Sequence, residues 1–383
     1  AGLPGERFGA RETLRAAALL YVISAVGCAA AWDWNSLIVF RFIGGLAIGC
    51  SSVLGPVYIA ELAPAKWRGR LVGMFQVNVV LGILLAYFSN FMLGTIHLGA
   101  DEWRWKLGVS GIPALLFLIM LFGIPRSPRW LVTRNQLDEA RDVLKDTGVA
   151  DYQAELNEIV QNIRSEHAQQ NEPLFTRRYR LPIFLAIATG AFNQLSGINA
   201  ILYYLNDIFA LAGFGKLSSD VQAMIIGFTN LLAVITAMAL IDKVGRKTLL
   251  LIGSVGCALC MAGVTAIFYT QQSLSALIWF LVAYIAFFSF SQGAVIWVYV
   301  SEIFPTSVRS KGQALGSSSH WIMNAVISGL FPLVAKSSGA YPFAFFALMM
   351  ALQFVIVWFF FPETKGITLE EMEHRLGIEP LNS

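Results

Sequence analysis

Residues 248–301 read TLLLIGSVGCALCMAGVTAIFYTQQSLSALIWFLVAYIAFFSFSQGAVIWVYVS and contain no Asp, Glu, Lys or Arg. A helix needs about 20 apolar residues to cross roughly 30 Å of hydrocarbon, so this run is long enough to cross a bilayer twice. A membrane β-barrel would instead show segments of about ten residues with alternating polarity, and the run has no such alternation. We therefore predict two membrane-spanning helices here.

The rest of the chain has the same character. Of its 383 residues, 56% are hydrophobic and only 13% are charged, whereas a soluble domain has about 25% charged residues. This composition excludes a soluble enzyme and a nucleic-acid-binding protein. Further apolar runs complete an all-α membrane protein whose ten predicted spans start near residues 16, 37, 71, 104, 181, 220, 248, 275, 312 and 341.

The distribution of Lys and Arg predicts the orientation of the chain. Loops on one side hold 22 of these residues and loops on the other side hold four, with Arg41 inside a span. Cytoplasmic loops retain Lys and Arg, so both ends of this chain are predicted to be cytoplasmic.

One long polar segment, 126–180, interrupts the spans. Leu156, Ile159 and Ile163 recur at helical spacing within it, which predicts short amphipathic helices beneath the membrane. The four cysteines all fall inside predicted spans, so neither a disulfide framework nor a metal site is expected. No Walker A motif occurs. We predict no enzyme activity, no cofactor and no direct use of ATP.

An internal repeat divides the sequence. The motif YIAELAPAKWR, from Tyr58 to Arg68, recurs as YVSEIFPTSVR from Tyr299 to Arg309, displaced by 241 residues. Such parallel repeats are typical of transporters built from two helical bundles. In the second half two spans come before the basic loop at 242–247, whereas in the first half none comes before the equivalent loop at 6–11. We therefore expect ten of twelve spans here. The predicted domains are a partial first bundle (1–125, corresponding to helices three to six), linker helices (126–180), a six-helix bundle (181–361) and a cytoplasmic tail (362–383).

Several motifs occur in one order along the whole chain. Together they closely resemble the sugar porter family of the major facilitator superfamily, both its bacterial hexose and xylose proton symporters and its facilitative hexose carriers. The resemblance implies the major facilitator fold, with two pseudo-symmetric bundles joined by a cytoplasmic helical linker. The motifs are ERFGAR (6–11), Arg41 with nearby glycines, PVYIAELAPAKWRG (56–69), PRWL (128–131), QLSGIN (194–199), DKVGRK (242–247), SEIFP (301–305) and PETKG (362–366).

The resemblance also implies a sugar-binding site made of neutral polar side chains and aromatic rings. A sugar has hydroxyls that donate and accept and ring faces that are apolar, so amides and indoles suit it and formal charge is unnecessary. Isolated amides in spans more often join helices to each other. Two positions depart from the family pattern, since Asn193 stands where Gln is usual and His320 where Gln or Asn is usual. The candidate substrate-binding residues are Gln76, Asn193, Gln194, Asn199, Asn230, Trp297, His320, Trp321 and Asn324.

Arg41 is the most costly residue of the predicted spans. A charged side chain at midspan costs at least about 2.5 to 3.5 kcal/mol, so we expect it to face the bundle interior and find a partner. In proton-coupled sugar porters the matching Arg lies near an acidic residue on helix one, which implies a coupling role for Arg41. Facilitative members keep the Arg without that acid, so both mechanisms stay open.

Duplicated charges at the cytoplasmic face suggest a gate. Ion pairs between bundles, each worth about 1 kcal/mol, can stabilise an outward-facing state and break when the cytoplasmic side opens. The alternative is that these charges only fix topology. The predicted gate residues are Arg7, Arg11, Glu61, Arg68, Asp242, Arg246, Glu302 and Arg309.

These observations predict a multi-pass cell-membrane protein, of the bacterial inner membrane, that carries monosaccharides (hexose or pentose) by alternating access. Short loops and symporter-like motifs favour proton symport over facilitated diffusion. The expected partners are a monosaccharide, protons and the lipid bilayer, with a monomer as functional unit and no nucleic acid. Three alternatives stay open: a carrier of another polyol such as inositol, a non-transporting sugar sensor, and an inactive truncated fragment. The sequence leaves open which sugar is bound, the oligomeric state and the host.

Overall fold

The computed structural model describes residues 2–63, 68–96, 98–148, 151–169, 173–305, 308–367 and 369–378. Within these ranges the regular structure is entirely helical. The chain divides into two compact units, residues 1–168 and 169–383. Apolar composition thus produces helices throughout, because only hydrogen bonds within a segment can satisfy the backbone in lipid.

The first unit contains three long helices and several short ones. A short 3₁₀ turn at Gly99–Asp101 precedes α5. The helices are α1 Gly2–Phe8, α2 Ala10–Ala30, α3 Trp34–Leu62, α4 Arg68–Thr95, α5 Glu102–Gly108, α6 Gly111–Met120, α7 Pro128–Thr133, α8 Leu137–Asp146 and α9 Tyr152–Gln169, whose last residue falls in the second unit.

The second unit contains helices that are broken at two places important for the site, Gly197 and a π-helical segment at Ser289–Gly293. The helices are α10 Arg180–Leu195, α11 Ile198–Tyr203, α12 Leu205–Leu211, α13 Lys216–Val244, α14 Arg246–Thr270, α15 Leu277–Phe288, α16 Ala294–Glu302, α17 Arg309–Ser337, α18 Tyr341–Phe360 and α19 Leu369–Arg375.

Eight segments of the described residues are long and apolar enough to cross a membrane. They correspond to eight of the ten predicted spans. Of the other two, the span predicted near residue 104 is divided between α5 and α6, and the one near residue 312 is α17, which has 29 residues and is more polar.

α2 begins at Ala10, several residues before the predicted start near residue 16. Two of the arginines that made this stretch look like a loop instead reach the carboxyl end of α6. Arg11 Nη1 donates to the carbonyl of Ile124 at 3.1 Å, and Arg15 Nε donates to the carbonyl of Leu121 at 3.0 Å. Carbonyls after a helix end lack intrahelical partners, so these side chains satisfy them while extending α2.

The sequence repeat is also a repeat of contacts. The Tyr58 hydroxyl donates to the carbonyl of Pro125 at 2.5 Å, and the Tyr299 hydroxyl donates to the carbonyl of Pro362 at 3.3 Å. Each tyrosine belongs to one copy of the duplicated motif. Each unit therefore fixes the end of its last spanning segment with the same side chain.

The linker forms amphipathic helices as predicted. Leu131, Val143 and Leu144 are buried with Leu156 of α9 in one small apolar core. Charged residues such as Asp138 lie on the exposed side. This core holds α7, α8 and α9 together within the chain.

Candidate functional site

Three of the predicted amides form a hydrogen-bonded chain inside the second unit. Gln194 Nε2 donates to Asn193 Oδ1 at 3.1 Å, and Asn199 Nδ2 donates to Gln194 Oε1 at 3.1 Å. Gln194 is 1% exposed and Asn193 is 4% exposed. Both atoms of the Gln194 amide thus bond to other amides, which fixes its orientation. We refer to Asn193, Gln194, Asn199 and His320 as the amide cluster.

His320 lies against Gln194 in an unusual way. Gln194 Nε2 is 3.3 Å from both Nδ1 and Nε2 of the ring. An atom at equal distance from the two nitrogens in the ring plane would collide with Cε1, which bridges them, so the amide lies over the ring face. The lone pair and the N–H of the imidazole point along the ring plane and are left for another partner.

Two tryptophans pack beside His320. The centroid of Trp297 is 5.3 Å from that of His320 at an interplanar angle of 57°, and that of Trp321 is 5.2 Å away at 88°. His320 is 8% exposed, but Trp297 is 41% and Trp321 36% exposed. Such indoles provide flat apolar surfaces next to the polar amide cluster, which suits a molecule with hydroxyl edges and apolar faces.

A glycine break brings Asn199 back to Gln194. α10 ends at Leu195, and Gly197 adopts a left-handed φ of 86° before α11 begins at Ile198. A side chain with a Cβ would strain this conformation and would place that Cβ 2.4 Å from the ring of Phe346. The QLSGIN motif is therefore a bend that returns an amide to the cluster.

A second glycine allows α10 and α17 to approach each other. A Cβ on Gly190 would lie 2.5 Å from the carbonyl oxygen of Gly316 and 3.0 Å from the backbone nitrogen of His320. These are backbone atoms, which cannot move aside as the end of a side chain can. Gly190 thus sets the separation of the two helices that carry Gln194 and His320.

Asn230 and Asn324 are buried but bond to other partners. Ser289 Oγ donates to Asn230 Oδ1 at 2.6 Å, and Ser328 Oγ donates to Asn324 Oδ1 at 2.9 Å. Ser289 begins the π-helical segment, an insertion that often marks functional positions in helices. The structure records no bond between either asparagine and the amide cluster, and their part in binding stays a prediction.

The sequence reasoning missed Gln292 in the same π-helical segment. It is 2% exposed, its backbone carbonyl accepts from Asn193 Nδ2 at 3.4 Å, and its Nε2 is 3.2 Å from Met350 Sδ. A signal was present, because Gln292 is one of the few amides in the charge-free run 248–301. Gln292 therefore lies against Asn193 and provides a backbone acceptor for the amide cluster.

In the first unit the predicted residues are more open. Gln76 is half-buried on α4 and Arg41 is exposed on α3. Arg41 lines a cavity of about 410 Å³ with Trp34, Leu37 and Leu107, among others. No carboxylate of the described residues forms an ion pair with Arg41, so its expected partner is not among them.

The predicted gate residues of the second unit pair within that unit. Arg246 Nη2 lies 2.9 Å from Glu302 Oε1, and Thr364 Oγ1 donates to Glu302 Oε2 at 2.5 Å. Arg309, expected beside Glu302, donates from Nε to the carbonyl of Phe304 at 3.4 Å. Glu302 thus bonds to the basic loop and the tail of its own unit.

Glu363 completes this network at the start of α14. Its Oε1 accepts from the backbone N–H of Arg246 at 2.8 Å and its Oε2 from that of Lys247 at 3.1 Å. Gly245 has a φ of 100°, and a Cβ there would lie 2.6 Å from the carboxylate. A carboxylate at a helix N-terminus is stabilised by the helix dipole, so the PETKG motif caps α14.

The gate residues of the first unit have different partners. Arg11 pairs with Glu12 at 2.7 Å, and the backbone carbonyl of exposed Arg7 accepts from Arg134 Nη2 at 2.6 Å. Glu61 is half-buried and has a partner within the structure. The side chains of Arg68 and Asp242 lie outside the described residues. The latch between bundles stays a prediction.

Comparison with known proteins gives one consistent result. A sequence profile described as "Sugar (and other) transporter" matches residues 1–376. The D-xylose-proton symporter of Escherichia coli K12 is 34% identical over 406 residues, covering 97% of this chain and 82% of the symporter. The arabinose-proton symporter of Bacillus subtilis is 36% identical over 379 residues, with 97% and 82% covered.

Solved structures give the same answer. The inward-open structure of the xylose transporter XylE from E. coli matches with a TM-score of 0.86 at 33% identity, covering 98% of this chain and 84% of that one. A structure of the same proton:xylose symporter bound to 6-bromo-6-deoxy-D-glucose matches with a TM-score of 0.82 at 32% identity, with 98% and 85% covered.

Proposed function

Because the chain belongs to the sugar (and other) transporter family, we propose that its amide cluster is the part of a monosaccharide site contributed by the second unit. The protein is a membrane transporter and not an enzyme. The observation that carries the proposal is the bonding of Gln194, whose amide bonds to Asn193 and Asn199 and packs against His320.

The chemistry of the cluster suits a sugar. The amides of the cluster bond to one another and to the backbone of Gln292. A sugar hydroxyl, which donates and accepts, can replace one of these bonds, while Trp297 or Trp321 covers a face of the sugar ring. Half a dozen net bonds of about 1 kcal/mol, less the cost of immobilising the sugar, leave around 4 to 6 kcal/mol, or millimolar to sub-millimolar affinity.

We propose proton symport as the energy source. The proteins of E. coli and B. subtilis that resemble this chain are named as proton symporters of xylose and arabinose. Arg41 is the proposed coupling residue. A cation inside a predicted span is rare and marks substrate or ion pathways, which supports this assignment.

We also propose the orientation and the working unit. With 22 Lys and Arg residues in loops on one side and four on the other, both ends of the chain are assigned to the cytoplasm. A monomer is the proposed unit, since the amide cluster lies within a single chain. Labelling of cysteines introduced at Phe175 and Trp103, both exposed, from either side of sealed vesicles tests the orientation.

The test is sugar exchange in proteoliposomes that contain the purified protein. Counterflow of radiolabelled xylose, arabinose or glucose should exceed that of protein-free liposomes, and an inward proton gradient should drive accumulation that a protonophore abolishes. Counterflow without accumulation would replace symport by facilitated diffusion. Exchange of inositol alone would assign a polyol, and sugar binding without exchange would assign a sensor.

A further inference from the structure

A basic segment leads into α10, the first long helix of the second unit, and takes no part in the amide cluster. Residues 176–180 read TRRYR, and the side chains of Arg177 and Arg180 are exposed. The short 3₁₀ turn Arg177–Tyr179 continues directly into α10. In such turns and in α-helices, side chains three positions apart lie on the same side. Arg177 and Arg180 therefore project from one face at the start of α10.

These two arginines have no partner among the residues that the structure describes. Within those ranges neither side chain forms an ion pair or a hydrogen bond. Arg178, between them, instead lies 5.5 Å from the ring centroid of Tyr179 and has a further partner. Like charges three positions apart repel each other, and a cation in the first turn of a helix is opposed by the helix dipole. An anion bound beside Arg177 and Arg180 would relieve both costs.

The start of α14 shows how the same arrangement is stabilised elsewhere in this unit. α14 also begins with two basic residues, Arg246 and Lys247, and there the Glu363 carboxylate accepts from both backbone N–H groups. The first turn of α10, in contrast, contains no acidic residue and has no side-chain cap. Thr176, the residue before this turn, has an Oγ1 that is shielded from water and lacks a hydrogen-bond partner in the described structure. No described carboxylate therefore does for α10 what Glu363 does for α14.

An apolar surface continues from the arginines along α10. Phe184 lies four positions after Arg180, which places the two side chains on the same side of the helix. Its ring packs edge-on against Phe360 of α18, with centroids 5.8 Å apart, and both rings are exposed. Two cations are thus followed, one helical turn further into the span, by exposed aromatic rings. This sequence of charge and apolar surface matches a phospholipid, which has an anionic headgroup above its acyl chains.

We propose that Arg177 and Arg180 bind the phosphate of an anionic phospholipid headgroup in the cytoplasmic leaflet, with an acyl chain against Phe184 and Phe360. Guanidinium groups suit phosphate because their planar donors match its oxygens, and the Thr176 hydroxyl is a further donor. The positive-inside rule requires basic residues on this side of the membrane, but it does not require them at a helix start beside exposed rings. The leaflet follows from the proposed orientation, whereas the binding itself depends on neither orientation nor transport.

Native mass spectrometry of the purified full chain in neutral detergent measures this binding. The wild type should bind a first phosphatidylglycerol more tightly than phosphatidylcholine. The double change Arg177→Gln and Arg180→Gln should raise the Kd for phosphatidylglycerol roughly 30-fold, as expected when two cations near the membrane surface are lost. The matched control is Lys145→Gln with Arg375→Gln, which removes two exposed cations that have their own carboxylates and should keep the wild-type Kd. An unchanged Kd in the Arg177 and Arg180 variant would overturn the proposal.

A competition experiment identifies the source of the phosphate. Inorganic phosphate, added at constant ionic strength, should leave phosphatidylglycerol bound to the wild type. Displacement of the lipid would assign the two arginines to free phosphate and would overturn the proposal.

Thermal unfolding in delipidated neutral detergent separates lipid binding from a structural role of the arginines. The Arg177 and Arg180 variant should be at least as stable as the wild type there, because like-charge repulsion and the unfavourable dipole interaction are removed. Phosphatidylglycerol should then raise the Tm of the wild type but not that of the variant. A lower Tm of the variant without lipid would show that the protein itself holds these cations, against the proposal. Normal lipid binding by a protein that fails to exchange sugar would contradict only the proposed function.

Discussion

Gln194 and Asn193 in the second unit are buried and bonded to each other, whereas in the first unit Arg41 is exposed and Gln76 is half-buried. The packing of their helices differs in the same direction. Of the residues in the apolar stretch of the span Arg177–Tyr203, 67% are buried, against 6% in the span Met74–Thr95. Within the described residues, the polar side chains of the second unit are therefore more buried than those of the first.

On the proposed function we expect the two units to contribute differently to transport. Amides that are bonded to one another keep their orientation, so little ordering has to occur when a ligand replaces one of them. An exposed cation has no such constraint and can respond to a nearby charge. We therefore expect substitutions in the second unit to change sugar affinity and substitutions at Arg41 to change energy coupling.

The largest effect is expected for Gln194→Ala. The change removes the bonds to Asn193 and Asn199 and the contact with His320, so the sugar Kd should rise roughly 10- to 100-fold, given about 1 kcal/mol for each bond. Isothermal titration calorimetry in detergent measures it. Gln353→Ala, which removes a buried glutamine on α18, is the matched control. Equal affinity in Gln194→Ala and the wild type would remove the amide cluster from the site.

Arg41→Gln separates coupling from binding. Loss of the guanidinium should abolish accumulation driven by a proton gradient but leave sugar affinity within about threefold, because the first unit's open residue is not part of the amide cluster. Parallel assays of accumulation and equilibrium binding measure the two effects. Lys336→Gln, which changes an exposed cation, is the control. Full proton-driven accumulation by Arg41→Gln would show that Arg41 is not required for coupling.

Glycine substitutions test how closely the helices of each unit are packed. Gly190→Ala places a Cβ against backbone atoms of α17, so it should destabilise the protein by about 1–3 kcal/mol and weaken sugar binding. Gly45→Ala, where nothing lies within 4 Å, should be neutral or stabilise by up to about 1 kcal/mol, because Ala favours the helix. Thermal unfolding in detergent measures both. Equal effects would show that the closeness of α10 and α17 is not a constraint.

The smallest effect is expected at a buried amide of the second unit that, unlike Gln194, has an oxygen without a hydrogen-bond partner. Gln353 is 3% exposed and its Oε1 has no hydrogen-bond partner in the described structure. Gln353→Met keeps the length of the side chain and removes the desolvation cost of that oxygen, about 1–3 kcal/mol, so Tm should rise by a few degrees. Gln272→Met, at an exposed position, should leave Tm unchanged. A fall in Tm would mean that the Gln353 oxygen is satisfied by bound water.

Much of the fold could be predicted because lipid imposes a simple rule on composition. Charge-free runs became helices, and the duplicated motif became a duplicated contact through Tyr58 and Tyr299. The start of α2 could not be predicted, since Arg11 and Arg15 look like loop residues until their carbonyl partners at the end of α6 are known. The division of the span near residue 104 could have been predicted, because Pro113 lacks the N–H that would bond to the carbonyl of Val109 four residues earlier.

The site followed the same pattern. Residue type alone selected Gln194, Asn199 and His320, but the sequence could not tell that Gln194 lies over the face of the imidazole. Nor could it show that Glu302 bonds to Arg246, 56 positions away, since Arg309 is the arginine that shares the motif of Glu302.

The sequence by itself determined the membrane-spanning helices, the duplicated halves and the family, because hydrophobicity and motif order are properties of the chain that do not depend on which segments meet. The tertiary structure alone decided which amides bond to one another and which acids are buried with a partner. Those outcomes depend on distances of a few ångström between residues as many as 126 positions apart, and such distances are set by backbone breaks at Gly197 and close approach at Gly190.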